Sequence, residues 1–239
     1  MSTTTETAPT RVAVIFAHPD DAEFICSGTV ARWAAEGRHV TYVLVTNGNK
    51  GSSDPAMTPE RLVEIRTAEQ REACRILGVK DVVFLGYDDA MLVPDLNLRR
   101  EMVRVIRRLK PDVVICGDPT VRFIGNGYLN HPDHRAVAEA TLDAIYPAAR
   151  DRMTFPEVLA EGLEPHKVRE VYLSTDDKAN VAIDITDYMD LKIQALKAHI
   201  SQMGDWDPSE EIKGWARQDA DRFPGHGTYS ESYKYLKLD

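Results

Sequence analysis

Val12-Ala13-Val14-Ile15-Phe16-Ala17-His18-Pro19-Asp20-Asp21-Ala22-Glu23 is the stretch on which the reading of the fold turns. Val12 to Ala17 is a short apolar run rich in β-branched residues, the pattern of a strand buried on both faces. Pro19 has no N–H to give a sheet, so the strand ends at His18-Pro19. Three carboxylates follow at once: Asp20, Asp21 and Glu23. Phe24 to Ala35 has helical character, with Gly37 as a stop signal. A histidine and an acidic cluster thus stand where a central strand gives way to a helix, the edge at which open α/β sheets place their ligands. Taken singly, Asp20 or Asp21 would cap the helix and His18 would be a satisfied core histidine. Taken together, packed like charges cost stability unless a cation neutralises them.

A second cluster, His131-Pro132-Asp133-His134, stands at another loop-to-helix junction far along the chain. Ala17-His18-Pro19-Asp20-Asp21-Ala22-Glu23, with this cluster downstream, resembles the PIG-L/LmbE-like zinc N-deacetylases. Those enzymes hydrolyse the acetamide of N-acetylglucosamine-type sugars. The resemblance runs from Arg11 to the end. It implies a Rossmann-like three-layer α/β sandwich with a mostly parallel sheet, and one Zn2+ per chain held by His18, Asp21 and His134. Imidazole and carboxylate suit zinc, and Mn, Fe or Co would also fit such a set. By the same resemblance Asp20 is the general base and does not bind metal. His131 stabilises the oxyanion and protonates the leaving amine, and Asp133 orients His131 by accepting its other N–H. Glu23 reads as a supporting or helix N-terminal carboxylate.

Along the chain, His39 to Thr46 is a second strand, running into the polar, Gly-rich segment Thr46 to Ser53. Its Gly-Lys spacing is not that of a phosphate-binding loop, and it reads as a flexible rim of the site. Thr58 caps a helix with Pro59 at its first position, and Gly78 ends it after Leu77. Within it Arg66, Glu69 and Glu72 form solvated pairs in the plainer reading. The resemblance instead gives Arg66 a reach to sugar hydroxyls or to the site's carboxylates, and makes it a substrate-binding residue. Val82 to Leu85 is a third strand. The loop after it carries Asp88, a solvated carboxylate, and Asp89, which the resemblance places on the sugar. Ala90 and Met91 replace the smaller pair usual there.

Asn97 to Leu109 is an amphipathic helix whose arginines form a solvated outer face. Val113 to Gly117 is the fourth strand, Asp118 to Asn130 a loop, and Asp133 to Ile145 a helix. Pro147 to Pro165 is irregular. Glu170 to Ser174 and Val181 to Ile185 are later strands, and Asp187 to Met203 a helix. The segment Gly225 to Tyr233 resembles the family's closing Gly-x-x-Tyr-Ala-Glu, and its glycine-flanked His226 is a candidate substrate contact. Strands alternating with helices, without hairpin signals, predict βαβ units. No Gly-x-Gly-x-x-Gly follows the first strand, which disfavours a nicotinamide enzyme.

Composition narrows the partners. A chain of 239 residues with a net charge of −9 is a poor match for nucleic acid or an anionic membrane. Residues 1–10 read as a polar, disordered tail and 11–239 as one deacetylase domain. No apolar run reaches the roughly 20 residues of a membrane span. Three cysteines, Cys26, Cys74 and Cys116, make no C-x-x-C pair and fit a reducing cytoplasm. The expected partner is a small amino-sugar substrate. The resemblance adds a homo-oligomer, trimer or hexamer, and Met153, Phe155, Val158 and Leu159 are apolar residues that a neighbouring subunit would cover. Three rivals stand beside the deacetylase. A two-metal phosphoesterase lacks spare ligands. A sugar-binding module would not need every catalytic position filled. An amidase of a glucosamine thiol conjugate would share the zinc chemistry.

Overall fold

The computed structural model describes residues 10–175 and 178–239, so most of the expected N-terminal tail lies outside the described residues. In chain order the elements are β1 (Arg11–Phe16), α1 (Asp21–Ile25), α2 (Ser27–Ala35), β2 (His39–Thr46), α3 (Pro59–Leu77), β3 (Asp81–Tyr87), α4 (Leu96–Leu109) and β4 (Val113–Gly117). A small hairpin, β5 (Phe123–Ile124) and β6 (Tyr128–Leu129), precedes α5 (Pro132–Asp143), which passes into a π-helical turn at Ala144–Ala148. The rest comprises α6 (Pro156–Ala160), β7 (Glu170–Ser174), β8 (Val181–Asp184), a 3-10 turn (Thr186–Tyr188), α7 (Met189–Lys197), α8 (Ile200–Met203), α9 (Ser209–Arg222) and β9 (Ser230–Lys237).

The central sheet has seven strands in the order β3-β2-β1-β4-β7-β9-β8. Pairings among β3, β2, β1, β4 and β7 are parallel, while β9 runs antiparallel to both β7 and β8. The α/β sandwich expected from the sequence is therefore the observed fold. β1 shows why. Ala13, Ile15 and Ala17 face one core with Met102, Ile106 and Val137, and Val12, Val14 and Phe16 face another with Val30, Ala73 and Leu77. Each apolar residue of the run has a helical layer to meet, the condition under which a strand dispenses with polar alternation.

The strand order reverses between β1 and β4. From β1 the chain winds outward to β2 and β3, and from β4 the other way to β7. Such a switch point opens a crevice beyond the strands' carboxyl ends. His18 leaves β1 into that crevice, and α5 delivers the second cluster beside it after β4.

Local signals set the boundaries well where they are strong. The Thr58 side chain accepts the Arg61 N–H, Pro59 opens α3, and Gly78 takes φ 74° at its end. Asp95 caps α4 through the N–H groups of Asn97 and Leu98, one residue earlier than its apolar periodicity indicates. Five expectations are corrected. The helix after Asp21 is broken at Cys26. The 187–203 segment is a 3-10 turn and two helices, interrupted at His199, whose ψ is 60°. The loop 118–130 contains a hairpin, and its Gly125-Asn126-Gly127 tip is the glycine-bearing turn that makes one. The 147–165 segment, expected to be irregular, contains α6 and covers some of its apolar residues within its own chain: Val158 is buried in the core, Phe155 and Leu163 pack against it, and of the four apolar residues named Met153 is the strongly exposed one. Arg107 departs from the solvated outer face expected of the arginines on α4: it is buried and ties the 147–165 segment down, donating to the carbonyls of Ala148, Ala149, Asp151 and Thr154.

Candidate active site

The two clusters meet. His18 Nδ1 lies 3.1 Å from His134 Nε2. Asp21 reaches both rings, with Oδ1 at 3.0 Å from His134 Nε2 and Oδ2 at 3.5 Å from His18 Nδ1. Nitrogen atoms of His18, His131 and His134 all gather within 4.8 Å of one another. The donor chemistry fits a cation such as zinc. Tetrahedral ligands about 2.0–2.1 Å from zinc lie about 3.3 Å from one another, close to the 3.0–3.5 Å separations among His18, Asp21 and His134.

Each ring is oriented from behind. His134 Nδ1 lies 3.0 Å from Asn130 Oδ1, which leaves Nε2 facing the cluster. His18 Nε2 lies 3.0 Å from Asp89 Oδ1 and 3.3 Å from Asp133 Oδ2. Carboxylates behind a histidine fix its tautomer and raise its basicity as a ligand. Burial opposes a charge on His18, but Asp21, Asp133 and Asp89 outweigh it and raise its pKa to about 12. Asp21 is held well below the usual carboxylate range: burial opposes ionisation, and His134 and His18 overcome it.

Asp133 departs from its expected contact. Its carboxylate, wholly buried, accepts the N–H groups of Ala90 at 2.7 Å and Leu92 at 3.2 Å, and it faces His18. His131 is bonded by the Asp133 backbone: its Nδ1 caps α5 by accepting the Asp133 N–H at 3.2 Å. The physical reason is position, because an N-cap side chain turns back onto the first helical N–H groups. With Nδ1 an acceptor, a neutral His131 carries its proton on Nε2. Burial, His18 and His134 lower the His131 pKa and favour that neutral form.

Asp20 stands beside Asp21 with its carboxylate on Arg66, whose Nη2 lies 3.2 Å from Asp20 Oδ2. Burial, reinforced by Asp21 and opposed by Arg66, pushes the Asp20 carboxyl up to about 7. Arg66 is itself buried, and also donates to Pro19 O at 2.6 Å and Gly48 O at 3.0 Å. Of the two reaches expected for Arg66, the structure has the one to the site's carboxylates. The Gly-rich segment is its cradle: a Cβ on Gly48, whose φ is 63°, would sit 2.5 Å from Arg66 Nη1. Asp89, expected on a sugar, has its carboxylate on His18.

His226 lies outside the groups of histidine and carboxylate atoms that gather at the site. It is exposed on the loop entering β9, and its carbonyl accepts the Ser230 hydroxyl. At 4.7–4.9 Å per strand, β9 and β8 lie roughly 14–19 Å along the sheet from β1. What the closing segment does supply is Glu231. It accepts the N–H groups of Gly28 and Thr29 at the start of α2 and an ion pair from buried Lys192.

Residues missed from sequence include Asn130, Gln70 and His199. Gln70 follows Arg66 by four residues on α3, so helical spacing alone placed it on the same face. His199 lies 3.2 Å from Glu23 Oε2 in a wholly buried pair, and its link across 176 residues left no local trace.

The comparisons agree with this geometry. The PIG-L family model, described as GlcNAc-PI de-N-acetylase, matches residues 13–145. The chain is 32% identical to the diacetylchitobiose deacetylase of Thermococcus kodakarensis, across 83% of this chain and 74% of that protein. It is 30% identical to the 1D-myo-inositol 2-acetamido-2-deoxy-alpha-D-glucopyranoside deacetylase of Actinosynnema mirum, across 84% of each. The structure of N,N'-diacetylchitobiose deacetylase from Pyrococcus horikoshii superposes with a TM-score of 0.85 at 28% identity, covering 95% of this chain and 84% of that one. With the family model spanning more than half of its length and both motifs folded into one crevice, this chain belongs to the PIG-L family.

Proposed function

We propose that this protein hydrolyses the N-acetyl group of an N-acetylglucosamine-type sugar or its conjugate, with one zinc or related divalent cation held by His18 Nδ1, Asp21 and His134 Nε2. The observation that carries this reading is the convergence of those three side chains with Asp20 beside them. A bound cation of this kind brings a water's pKa down to roughly 7 and polarises the acyl carbonyl. Asp20, poised near neutrality, takes the water proton onto its carboxylate, held in place by Arg66. His131 presents Nε2–H to the oxygen that becomes negative as the carbonyl carbon turns tetrahedral. Asp20, in place of the His131 expected from the resemblance, then returns its proton to the amine as the C–N bond breaks, leaving acetate and a free amino sugar, because a neutral His131 that gave up its Nε2 proton would be left an imidazolate. Asp133 and Asp89 keep His18 Nδ1 turned to the cation.

The relatives' substrates support the sugar class. The apolar hairpin β5–β6, with Phe123, Tyr128 and Leu129 exposed, stands next to the second cluster and offers a rim for whatever the sugar carries. Among the described residues no helix is long and apolar enough to cross a membrane. A cytoplasmic setting and a homo-oligomer, trimer or hexamer, complete the proposal on the strength of the resemblance, and light scattering tests the latter.

The test measures acetate and free amine from N-acetylglucosamine, its β-linked dimer and inositol- and thiol-bearing glycosides. Zinc-loaded wild type should release both in equal amounts. Asp20→Asn should keep its zinc and lose about 10²–10⁴-fold in kcat, the range for a missing general base. An inactive wild type across the panel, or loss of zinc in Asp20→Asn, rejects these roles.

A further inference from the structure

Asp20 occupies the N-cap position of α1, yet its side chain makes no capping bond. An aspartate there ordinarily spends its carboxylate on the helix's own N–H groups. Here the backbone takes φ 94° and ψ −27°, a left-handed conformation that a residue with a Cβ seldom adopts, and the carboxylate is turned out to Arg66. Something must hold residue 20 in that shape. The Asp20 N–H donates to Gln70 Oε1 at 3.2 Å, and Gln70 Nε2 donates to Glu23 Oε1 at 3.0 Å. Gln70 and Glu23 are both wholly buried. A backbone N–H can only donate and a carboxylate can only accept, so an amide lying between them fits one way round. Behind Glu23, His199 faces the second carboxylate oxygen.

We propose that Gln70, locked by Glu23, is a positioning residue for the base: it pins the Asp20 N–H in the left-handed conformation and so frees the Asp20 carboxylate from helix capping for proton transfer. Arg66 and Gln70, one turn apart on α3, then grip residue 20 from two sides, the first at the carboxylate and the second at the amide. The inference rests on Asp20 being the base.

The experiment uses the full-length, zinc-loaded protein with an N-acetylated amino sugar on which wild type is active. Gln70→Met removes both bonds in similar volume. It should lower kcat by about 10–100-fold, the scale for a catalytic group displaced by a fraction of an ångström to an ångström, with KM and zinc content unchanged. Gln70→Glu opposes two carboxylates and should lose at least as much. Gln70→Glu combined with Glu23→Gln exchanges amide and carboxylate and restores the pattern. It should recover about tenfold or more of the kcat lost in Gln70→Glu. That exchange carries the test if Gln70→Met does not fold. Unchanged kcat in Gln70→Met, no recovery in the double variant, or losses appearing in KM or zinc content overturn the inference while leaving the functional reading intact. A wild type inactive on every acetylated sugar overturns that reading and this inference with it.

Discussion

The Asp133 carboxylate meets His18 Nε2 at 3.3 Å, joining the two motifs across 115 residues of chain. The same residue's N–H bonds His131 Nδ1, so one aspartate serves both histidines, the side chain for one and the main chain for the other. On the proposed ligand set, this division makes the side chain of Asp133 a support for His18.

Asp133→Asn should therefore act through the metal. Replacing a carboxylate behind a metal-binding histidine typically costs about 10–100-fold in affinity, and zinc titration against a competing chelator should find a loss of that size. The His131 N-cap bond, made by the backbone, should survive. Unchanged zinc affinity with a large fall in kcat would return Asp133 to the service of His131.

The pKa of His18 predicts a proton count. In the cation-free protein the raised pKa of about 12 makes His18 an imidazolium at neutral pH. Its charge stabilises the cation-free fold fully below the unfolded value of about 6.5, and that contribution fades as pH rises toward the folded value. Ligation needs the neutral ring, so zinc uptake must expel this proton. Calorimetry between pH 6 and 8 in buffers of differing ionisation enthalpy should show release of about one proton from His18, and the apparent affinity should fall about tenfold per pH unit of acidification. Binding heats independent of buffer would show His18 already neutral.

Gly48→Ala tests the cradle of Arg66. The added methyl group would meet the guanidinium at 2.5 Å on a backbone already at φ 63°. Arg66 must shift, and with it the support of Asp20. Loss of about 10–100-fold in kcat is expected, with zinc content unchanged because the atoms nearest the new methyl group belong to Arg66 and not to a proposed ligand. Wild-type kcat would show that Arg66 can move without consequence for Asp20.

The parts of this molecule that were legible from sequence are those whose causes are local. β1 showed its two buried faces as an unbroken apolar run, and α3 carried its own cap, proline and terminal glycine. α9 was not legible because its buried stripe is only Ile212, Ala216 and Ala220, too small to stand out among charged neighbours. β9 was hidden for a different reason: Ser230 and Glu231 are buried polar residues, which erase the alternation that identifies a strand. At the site, the motif residues could be named from the resemblance their two motifs carry, but not which atom faces which. The Asp133–His18 contact depends on the β1–β4 switch point, and the Glu23–His199 pair on how α7 folds back over α1.

Glu231 supplies the remaining prediction. Its carboxylate accepts the Gly28 N–H at 3.0 Å and the Thr29 N–H at 2.7 Å, capping α2 from a strand some 200 residues away. Buried Lys192 donates to Glu231 at 2.7 Å and to the carbonyls of Glu23 and Phe24, and the Tyr233 hydroxyl bonds the other carboxylate oxygen at 3.0 Å. Glu231→Ala would strand a buried ammonium and two helix N–H groups at once. Removing one partner of a buried pair costs about 3–5 kcal/mol, and urea unfolding of the cation-free protein should show a loss of that order. Glu231→Gln keeps the size and part of the capping but not the charge, so it should lie between Glu231→Ala and wild type. Because Lys192 also grips the carbonyls of α1, the helix that follows Asp20 and Asp21, zinc affinity should weaken along with stability in Glu231→Ala. A stability loss below about 1 kcal/mol, the size of an exposed surface pair, would show that β9 merely rests against α2 and does not anchor it.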